Sequence, residues 1–290
     1  ADPRRILFTP NFAARDEYAA ALAHGYGVTL DNLDILRAWG ELFRDRAVFV
    51  RVDPGVGRGH HAHVRTAGAS AKFGVPIEQM AELPPLLARS GARVVGLHAH
   101  VGSGIFDVRA WAQTAAVLAA QAERLPDVRV LNLGGGLGVP ERAGRAPLDL
   151  AALDAVLAQQ RERNARWEYW LEPGRLLVAE AGVLLARVTQ TKRKGDVTYI
   201  GIATGMNSLI RPALYGAHHD IVNLSRLEAS CTERVNVVGP ICESADYLGH
   251  DRFLPPTEIG DVLLIATAGA YGRVMASQYN LREPAVELAL

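Results

Sequence analysis

Cysteine and lysine are both scarce in this sequence of 290 residues. The two cysteines, Cys231 and Cys242, are too few for a disulfide framework, and their spacing is not that of a zinc site. A reducing compartment, the cytoplasm, is therefore the expected location. Lysine occurs three times, at Lys72, Lys192 and Lys194, among 31 basic residues. Chemistry that needs a side-chain amine has few candidates in this chain.

An excess of charge and a long hydrophobic run are also lacking. The 31 basic residues balance the 31 acidic ones, so neither a nucleic acid nor a membrane surface is an expected partner. No apolar run approaches the roughly 20 residues that a membrane-spanning helix needs. The chain has instead 49% hydrophobic and 21% charged residues, which is typical of a globular protein with a sizeable core.

The first part of the sequence alternates short apolar runs with helical stretches rich in alanine and leucine. This alternation predicts strand–helix units and a parallel sheet. The predicted strands cover residues 5–9, 27–31, 47–53, 94–100, 128–133 and 167–172, and the predicted helices cover 13–24, 33–43, 77–90, 108–124 and 148–163. A (β/α)8 barrel and an open doubly wound sheet both fit this pattern, although a closed barrel needs two more units than are present.

The pattern changes near residue 178, where the helical stretches disappear. Alternating segments rich in Val, Ile, Leu and Thr follow at 183–189, 198–203, 234–238 and 261–266, which predicts an antiparallel β domain. The sequence therefore predicts two domains, residues 1–177 and residues 178–290.

The predicted parallel strands end in residues that are able to do chemistry. Because the carboxyl ends of parallel strands meet at one edge of a sheet, we expect a functional site there. The strand-end residues are Asn11, Asp31, Asn32, Arg51, Asp53, His98, His100, Gly134 and Glu172.

Two glycine-containing segments follow strands of this sheet. In the first, Gly134, Gly135 and Gly136 would let backbone N–H groups approach a phosphate, but a tight turn needs the same residues, so both interpretations stay open. Val139 stands where a dinucleotide-binding motif needs glycine, which argues against NAD. In the second segment, His-Val-Gly-Ser-Gly, Ser103 offers a hydroxyl to an anion.

Alternating histidines, His98 and His100, precede Ser103. A histidine on a strand is more often structural than catalytic, and no metal site is predicted from this pair.

A carboxylate and a guanidinium lie three residues apart in Glu172-Pro173-Gly174-Arg175. A local ion pair is one interpretation. The alternative is a pyridoxal phosphate site, which needs a carboxylate for the ring nitrogen and a cation for a phosphate or carboxylate.

The ordered motifs HVGSG, NLGGGLG, EPGR, RPALY, GPICES with a following Asp246, and GAYG closely resemble those of the diaminopimelate decarboxylases. The resemblance extends over nearly the whole chain. It implies a (β/α)8 barrel followed by a C-terminal β domain, and pyridoxal 5'-phosphate as the cofactor. It also implies decarboxylation of meso-2,6-diaminopimelate, a small-molecule substrate, to L-lysine and CO2.

The resemblance assigns roles to individual residues of this chain. His100 would stack on the cofactor ring, and Glu172 would face its pyridine nitrogen. The residues implied at the phosphate are Ser103, Gly134, Gly135, Gly136, Gly174, Arg175 and Tyr271; those implied at the substrate are Arg175, Arg211, Tyr215, Glu243 and Tyr271. Cys242 would donate a proton and, with Glu243, reach the active site of the partner subunit in a head-to-tail homodimer.

The family forms its covalent link to the cofactor through a lysine at the end of the first barrel strand, and no matching segment occurs here. Lys72 lies in a different family segment, and Lys192 and Lys194 lie in the predicted β domain. We therefore expect an N-terminally truncated, inactive chain that lacks the first two barrel units. Decarboxylation of ornithine, arginine or a carboxylated polyamine is an alternative, and a non-catalytic amino-acid-binding homologue is another.

Overall fold

The computed structural model describes residues 2–55 and 71–290. They form two compact units. The first unit comprises Ala1–Gly138 and Leu148–Pro173, and the second comprises Val139–Pro147 and Gly174–Leu290. The chain therefore enters the second unit for a short segment, returns to the first, and then completes the second.

The first unit contains a parallel sheet. Its main path follows chain order, β1-β2-β3-β5-β6-β7, and the short strand β4 pairs with β3 beside that path. The strands are β1 (Leu7–Phe8), β2 (Gly27–Leu30), β3 (Ala47–Asp53), β4 (Val75–Pro76), β5 (Arg93–His98), β6 (Val130–Asn132) and β7 (Glu168–Trp170).

In the described part of the chain, the helices that connect these strands are α1 (Arg15–Ala23), α2 (Asp34–Trp39), α3 (Leu83–Ser90), α4 (Arg109–Ala122) and α5 (Leu150–Arg163). A 3-10 turn over Gly40–Phe43 extends α2, and another over Ile77–Glu82 precedes α3. Each predicted strand and helix of this part of the chain is present, with shifts of a few residues at the ends.

Burial explains why β3 and β5 pair centrally in this sheet. All residues of β3 after Ala47 are buried, which is the near-continuous apolar pattern of a parallel strand covered on both faces. Gly96 of β5 lies against Phe49 of β3, where an added Cβ would come within 2.2 Å of the ring. The phenyl ring in turn packs on Trp170, with ring centroids 5.5 Å apart.

The second unit contains a six-stranded sheet in the order β10-β13-β8-β9-β11-β12. Its strands are β8 (Leu184–Lys194), β9 (Val197–Ile202), β10 (Ile221–Asn223), β11 (Glu233–Val238), β12 (Tyr247–Leu254) and β13 (Val262–Ile265), accompanied by the short helices α6 (Gly174–Val178) and α7 (Arg211–Tyr215). Its core includes Val188, Ile200, Val237, Leu248 and Leu263.

The two units confirm the predicted fold class, a parallel strand–helix region followed by a β region. One expectation needs correction: the second sheet is not wholly antiparallel, because β9 and β11 pair in parallel. The prediction also missed β4, β10 and β12, which are short or carry polar residues within the strand. None of the helices among the described residues is long and apolar enough to cross a membrane.

Candidate active site

Glu172 is held by two polar side chains at the carboxyl ends of β5 and β6. His98 Nε2 lies 3.3 Å from Glu172 Oε2, and Asn132 Nδ2 donates to Glu172 Oε1 at 2.8 Å. Burial raises the pKa of Glu172, but the contacts from His98 and Asn132 outweigh burial and bring the pKa to about 2. The carboxylate is therefore charged at neutral pH, and its side chain is still 39% exposed to a ligand.

Asn132 also connects Glu172 to the glycine turn. Its Oδ1 accepts a hydrogen bond from the Gly134 N–H at 3.0 Å, while its Nδ2 serves Glu172. The Glu172 N–H donates to Gly134 O at 2.9 Å. An added Cβ on Gly135 would lie 2.1 Å from Glu172 O. Glycine is therefore required at position 135, because a side chain there would collide with the backbone carbonyl of Glu172.

His100 lies on the other side of the same turn. The Gly135 N–H donates to His100 Nδ1 at 3.1 Å, so this nitrogen is the unprotonated one. Burial, together with the neighbouring His98 and Arg51, lowers the pKa of His100 to about 4. The imidazole is thus neutral at pH 7, which suits a ring that packs on another ring.

The two predicted phosphate segments are adjacent in the structure. Ile105 pairs with Leu137 in an isolated parallel bridge, and an added Cβ on Gly136 would lie 2.1 Å from Gly102 O. Ser103 is half-buried and lies between Gly102 and Ile105 in the sequence. The tight-turn interpretation of the glycines therefore holds, since protein packing alone requires them.

The N–H groups of the glycine turn have unequal availability. Those of Gly134 and Gly135 donate to Asn132 and His100. Gly136, with φ +86°, has no such donation to a side chain of the described residues. A phosphate at this turn would therefore meet the Gly136 N–H before those of the other two glycines.

The ends of β2 and β3 add a buried ion pair to this edge of the sheet. Arg51 Nη1 donates to Asn11 Oδ1 at 2.7 Å and lies 3.8 Å from Asp31 Oδ1. Burial raises the pKa of Asp31. A cavity of about 640 Å³ opens beside Asn132 and Glu172 in the first unit. Polar strand ends thus gather at one edge, as the sequence predicted.

The second unit has its own buried charge cluster. Glu141 Oε1 accepts from Arg211 Nη2 at 2.7 Å, and the same oxygen accepts from Arg175 Nη2. Burial raises the pKa of Glu141, but Arg211 and Arg175 outweigh burial and hold it at about 2. The side chain of Arg175 is 6% exposed and that of Arg211 4%. Glu141 was not among the predicted site residues.

His219 fixes the orientation of Arg211. Its Nδ1 lies 2.8 Å from Ala266 O and must donate to that carbonyl, so its Nε2 is free to accept from Arg211 Nη1 at 2.9 Å. Burial lowers the pKa of His219 to about 4, in agreement with a neutral ring. His219 therefore acts on the arginine as a hydrogen-bond acceptor and adds no charge.

The other predicted residues of the second unit are spread over helix ends and loops. Gly174 begins α6, and Tyr215 ends α7 and is half-buried. Tyr271 is 45% exposed and has a left-handed backbone, with φ +62°.

Cys242 and Glu243 lie on a loop after β11. Cys242 is exposed, and its N–H donates to Asn280 Oδ1 at 2.7 Å. Glu243 Oε1 accepts a hydrogen bond from the hydroxyl of Tyr279. Sequence reasoning missed Asn280 and Tyr279, which carry no motif of their own.

Asp246 shapes this loop from inside the protein. Its Oδ1 accepts from the Met206 N–H at 2.6 Å and its Oδ2 from the Ile241 N–H at 2.7 Å. An added Cβ on Gly205 or Gly239 would lie 2.4 Å from this carboxylate. The two glycines therefore let the backbone close around Asp246, which is 3% exposed.

Comparison with known proteins agrees with this geometry. The family model for the pyridoxal-dependent decarboxylases, pyridoxal binding domain, matches residues 1–179. The diaminopimelate decarboxylase of Archaeoglobus fulgidus is 35% identical over 296 residues, which cover 98% of this chain and 70% of that protein. The corresponding enzyme of Methanothermobacter thermautotrophicus is 36% identical over 300 residues, covering 99% of this chain and 70% of that protein.

The chain belongs to the diaminopimelate decarboxylase family. A solved structure of the Helicobacter pylori diaminopimelate decarboxylase in complex with L-lysine has a TM-score of 0.90 at 30% identity, covering 100% of this chain and 74% of that one. The family structure from M. jannaschii, in co-complex with L-lysine, has a TM-score of 0.86 at 31% identity, covering 98% and 68%.

The family's cofactor, pyridoxal phosphate, fits the residues of the first unit. Glu172 is held in its charged form, as the partner of a protonated ring nitrogen must be. His100 presents a neutral ring, and Gly136 with Ser103 offers donors to a phosphate. The residues that sequence reasoning left without a role, His98 and Asn132, are the ones that hold Glu172. Their position at the ends of predicted strands was the available signal.

Proposed function

We propose that this chain carries the ring-binding, phosphate-binding and substrate-binding residues, but not the anchoring lysine, for pyridoxal-phosphate-dependent decarboxylation of meso-2,6-diaminopimelate to L-lysine and CO2. The observation that carries the proposal is Glu172, a carboxylate held in its charged form by His98 and Asn132 beside the glycine turn. The named family members support the substrate. The two relatives solved with L-lysine support the product.

Each residue of the first unit has a distinct task in this proposal. Pyridoxal phosphate, when bound, supplies a ring that accepts the electron pair left when the C–C bond to the substrate carboxylate breaks and CO2 leaves. Glu172 holds a proton on the pyridine nitrogen. His100 packs on the ring, and Ser103 with Gly136 binds the phosphate.

Residues of the second unit are proposed to bind the substrate and complete the reaction. Arg175 and Arg211 bind the substrate carboxylate. Tyr215 and Tyr271 also contact the substrate. Cys242 donates the proton that replaces the lost CO2, so that one carboxylate leaves and one C–H bond forms.

Glu243 is proposed to select the substrate by binding the distal amino group of meso-diaminopimelate. A carboxylate recognises an ammonium group by charge-assisted hydrogen bonds, and Glu243 is already held by the hydroxyl of Tyr279. Glu243→Asp shortens the side chain by one methylene. It should shift relative binding from meso-diaminopimelate toward ornithine, measured by calorimetry with both amino acids. An unchanged ratio would remove Glu243 from this role.

We propose a head-to-tail homodimer in which Cys242 and Glu243 serve the partner subunit's site. The exposure of Cys242 supports this, and Cys231, also exposed, is a matched internal control. Alkylation of Cys242 should slow as protein concentration rises through the dimerisation range seen by light scattering, while alkylation of Cys231 stays constant. Equal rates at all concentrations would contradict the shared site.

Cofactor binding tests the central proposal. The 290-residue chain should quench pyridoxal phosphate fluorescence on binding. Glu172→Gln should weaken binding by about tenfold through loss of a charged hydrogen bond. Glu162→Gln, on the exposed face of α5, is the control and should bind as the unchanged chain does. Equal affinities for all three proteins would overturn the assignment of Glu172.

Borohydride reduction of the same mixture tests for a covalent link. Lys72 is exposed, and Lys192 and Lys194 lie in β8 of the second unit. We propose that none of the three anchors the cofactor, so peptide mass analysis should find no stoichiometric adduct. An adduct on Lys72 would contradict this, and CO2 release from carboxyl-labelled meso-diaminopimelate should then be assayed beside ornithine and arginine.

A further inference from the structure

The Glu141 carboxylate accepts hydrogen bonds from two arginines in the second unit. One oxygen, Oε1, accepts from both Arg175 and Arg211, and all three side chains are at least 85% buried. His219 adds no charge, because its single ring proton is committed to Ala266 O. The cluster therefore carries two positive charges and one negative charge away from bulk water.

Donors remain on this cluster after Glu141 is bound. Arg211 uses Nη1 for His219 and Nη2 for Glu141. Arg175 uses Nη2 for Glu141, whereas its Nε is buried and has no hydrogen-bond partner among the described residues. A buried N–H without a partner costs free energy, and an added acceptor would recover it. The Arg175 Nε–H is thus a donor for which an anionic ligand would supply the missing acceptor.

We infer that Glu141 determines the anion specificity of the Arg175–Arg211 pair, by reducing the charge the pair presents to a ligand from two to one. With one net positive charge, the cluster is matched to a single carboxylate. A dianion would bring a second negative charge close to Glu141, where the low dielectric makes repulsion strong. Glu141 also competes directly with a ligand for the Arg175 guanidinium. This inference rests on the proposed function only for the identity of the natural ligand.

The test removes the charge of Glu141 and keeps its shape. Glu141→Gln leaves an amide oxygen that still accepts a hydrogen bond, but the cluster gains one unit of positive charge. Sulfate, a dianion, should bind Glu141→Gln at least about tenfold more tightly than the unchanged chain, and acetate less than about threefold more tightly. Affinities are measured by calorimetry at constant ionic strength.

Two further variants locate the effect. Glu41→Gln removes a carboxylate from an exposed pair with Arg15 and should leave sulfate affinity unchanged. Glu141→Gln combined with Arg175→Gln restores one net positive charge and should return sulfate affinity to that of the unchanged chain. If sulfate binds Glu141→Gln and the unchanged chain equally well, the inference is wrong.

Folding failure is also informative. If Glu141→Gln does not fold because two arginines lack a counterion, the double variant should fold, since it removes one of them. A double variant that stays unfolded by circular dichroism would show that Glu141 is needed for more than its charge, and would overturn the inference. Failure of the unchanged chain to bind L-lysine would instead count against the proposed function, because the sulfate comparison does not depend on the natural ligand.

Discussion

Glu172 shows how a single charged residue depends on neighbours that carry no chemistry themselves. Burial alone would raise its pKa and favour a neutral acid, which could not hold a proton on a cofactor nitrogen. The hydrogen bonds from His98 and Asn132 reverse that tendency. Asn132 has a second task, because its Oδ1 holds the Gly134 N–H.

Replacing Asn132 should therefore change the charge state of Glu172. In Asn132→Leu the donor to Glu172 Oε1 is lost, and the pKa of Glu172 should rise from about 2 by about one unit or more. Carboxyl 13C NMR titration of Glu172 measures this shift. An unaltered pKa at Glu172 would mean that the contact with His98 alone is enough to keep this pKa low.

At the residue scale, sequence motifs single out candidate reactive groups more readily than the residues that hold them in place. Glu172, His100 and the glycines stand in motifs with recognisable chemistry. Glu141 does not, because its partners Arg175 and Arg211 are 34 and 70 positions away in the sequence. Only the fold brings these three charges together, so no local pattern could predict that Glu141 contacts both arginines.

The glycine turn between β6 and α5 is the element on which the first-unit site depends. Gly135→Ala adds a Cβ that would lie 2.1 Å from Glu172 O, a backbone atom that cannot rotate away. We expect it to displace Glu172 and weaken pyridoxal phosphate binding by at least about tenfold. Gly195→Ala, in the exposed turn between β8 and β9, is the control, since its Cβ would meet no atom within 4 Å. Fluorescence titration of both variants measures the difference; equal affinities would contradict it.

The loop that carries Cys242 depends in the same way on Asp246. Both carboxylate oxygens accept backbone N–H groups, so Asp246→Asn must turn one NH2 toward a donor and lose that bond. The buried unpaired group should cost about 1–3 kcal/mol. We expect faster alkylation of Cys242 in this variant, because the loop opens more often. Alkylation of Cys231 at its unchanged rate would exclude global unfolding, and parallel acceleration of both cysteines would contradict a local effect.

At the element scale, hydrophobic periodicity predicted the regular strands and helices of the first unit. It failed at β10, with three residues, and at β12, where Gly249, His250 and Asp251 interrupt the apolar pattern. Pairing supplies what the pattern lacks: β10 is held by β13, and β12 by β11. These strands are stabilised by hydrogen bonds to the neighbouring strands. The hydrophobic pattern within one strand carries no information about such pairing.

At the scale of the whole molecule, each unit contains a carboxylate whose pKa is about 2, Glu141 in one and Glu172 in the other. Their unfolded pKa is near 4.5, so the unfolded chain binds more protons between these values. The stability they contribute is present above pH 4.5 and is lost as pH falls toward 2. Both units should therefore lose stability over this acid range.

Denaturant unfolding from pH 4.5 to pH 2 measures this loss. Glu141→Gln and Glu172→Gln should each lose less stability over that range than the unchanged chain, because one titrating group is gone. Glu162→Gln should follow the unchanged chain. Identical slopes for all four proteins would show that neither Glu141 nor Glu172 governs acid unfolding.

The order of the units along the chain has a consequence for synthesis on the ribosome. Val139–Pro147 belongs to the second unit, yet Leu148–Pro173 returns to the first. Strand β8 then pairs with β13, so that Leu184 meets Ile265. During translation, Val139–Pro147 cannot pack into the second unit until β13 has emerged, more than a hundred residues later. Cotranslational folding of the second unit is consequently delayed until β13 has been synthesised, and this is an interval in which a nascent chain needs a chaperone.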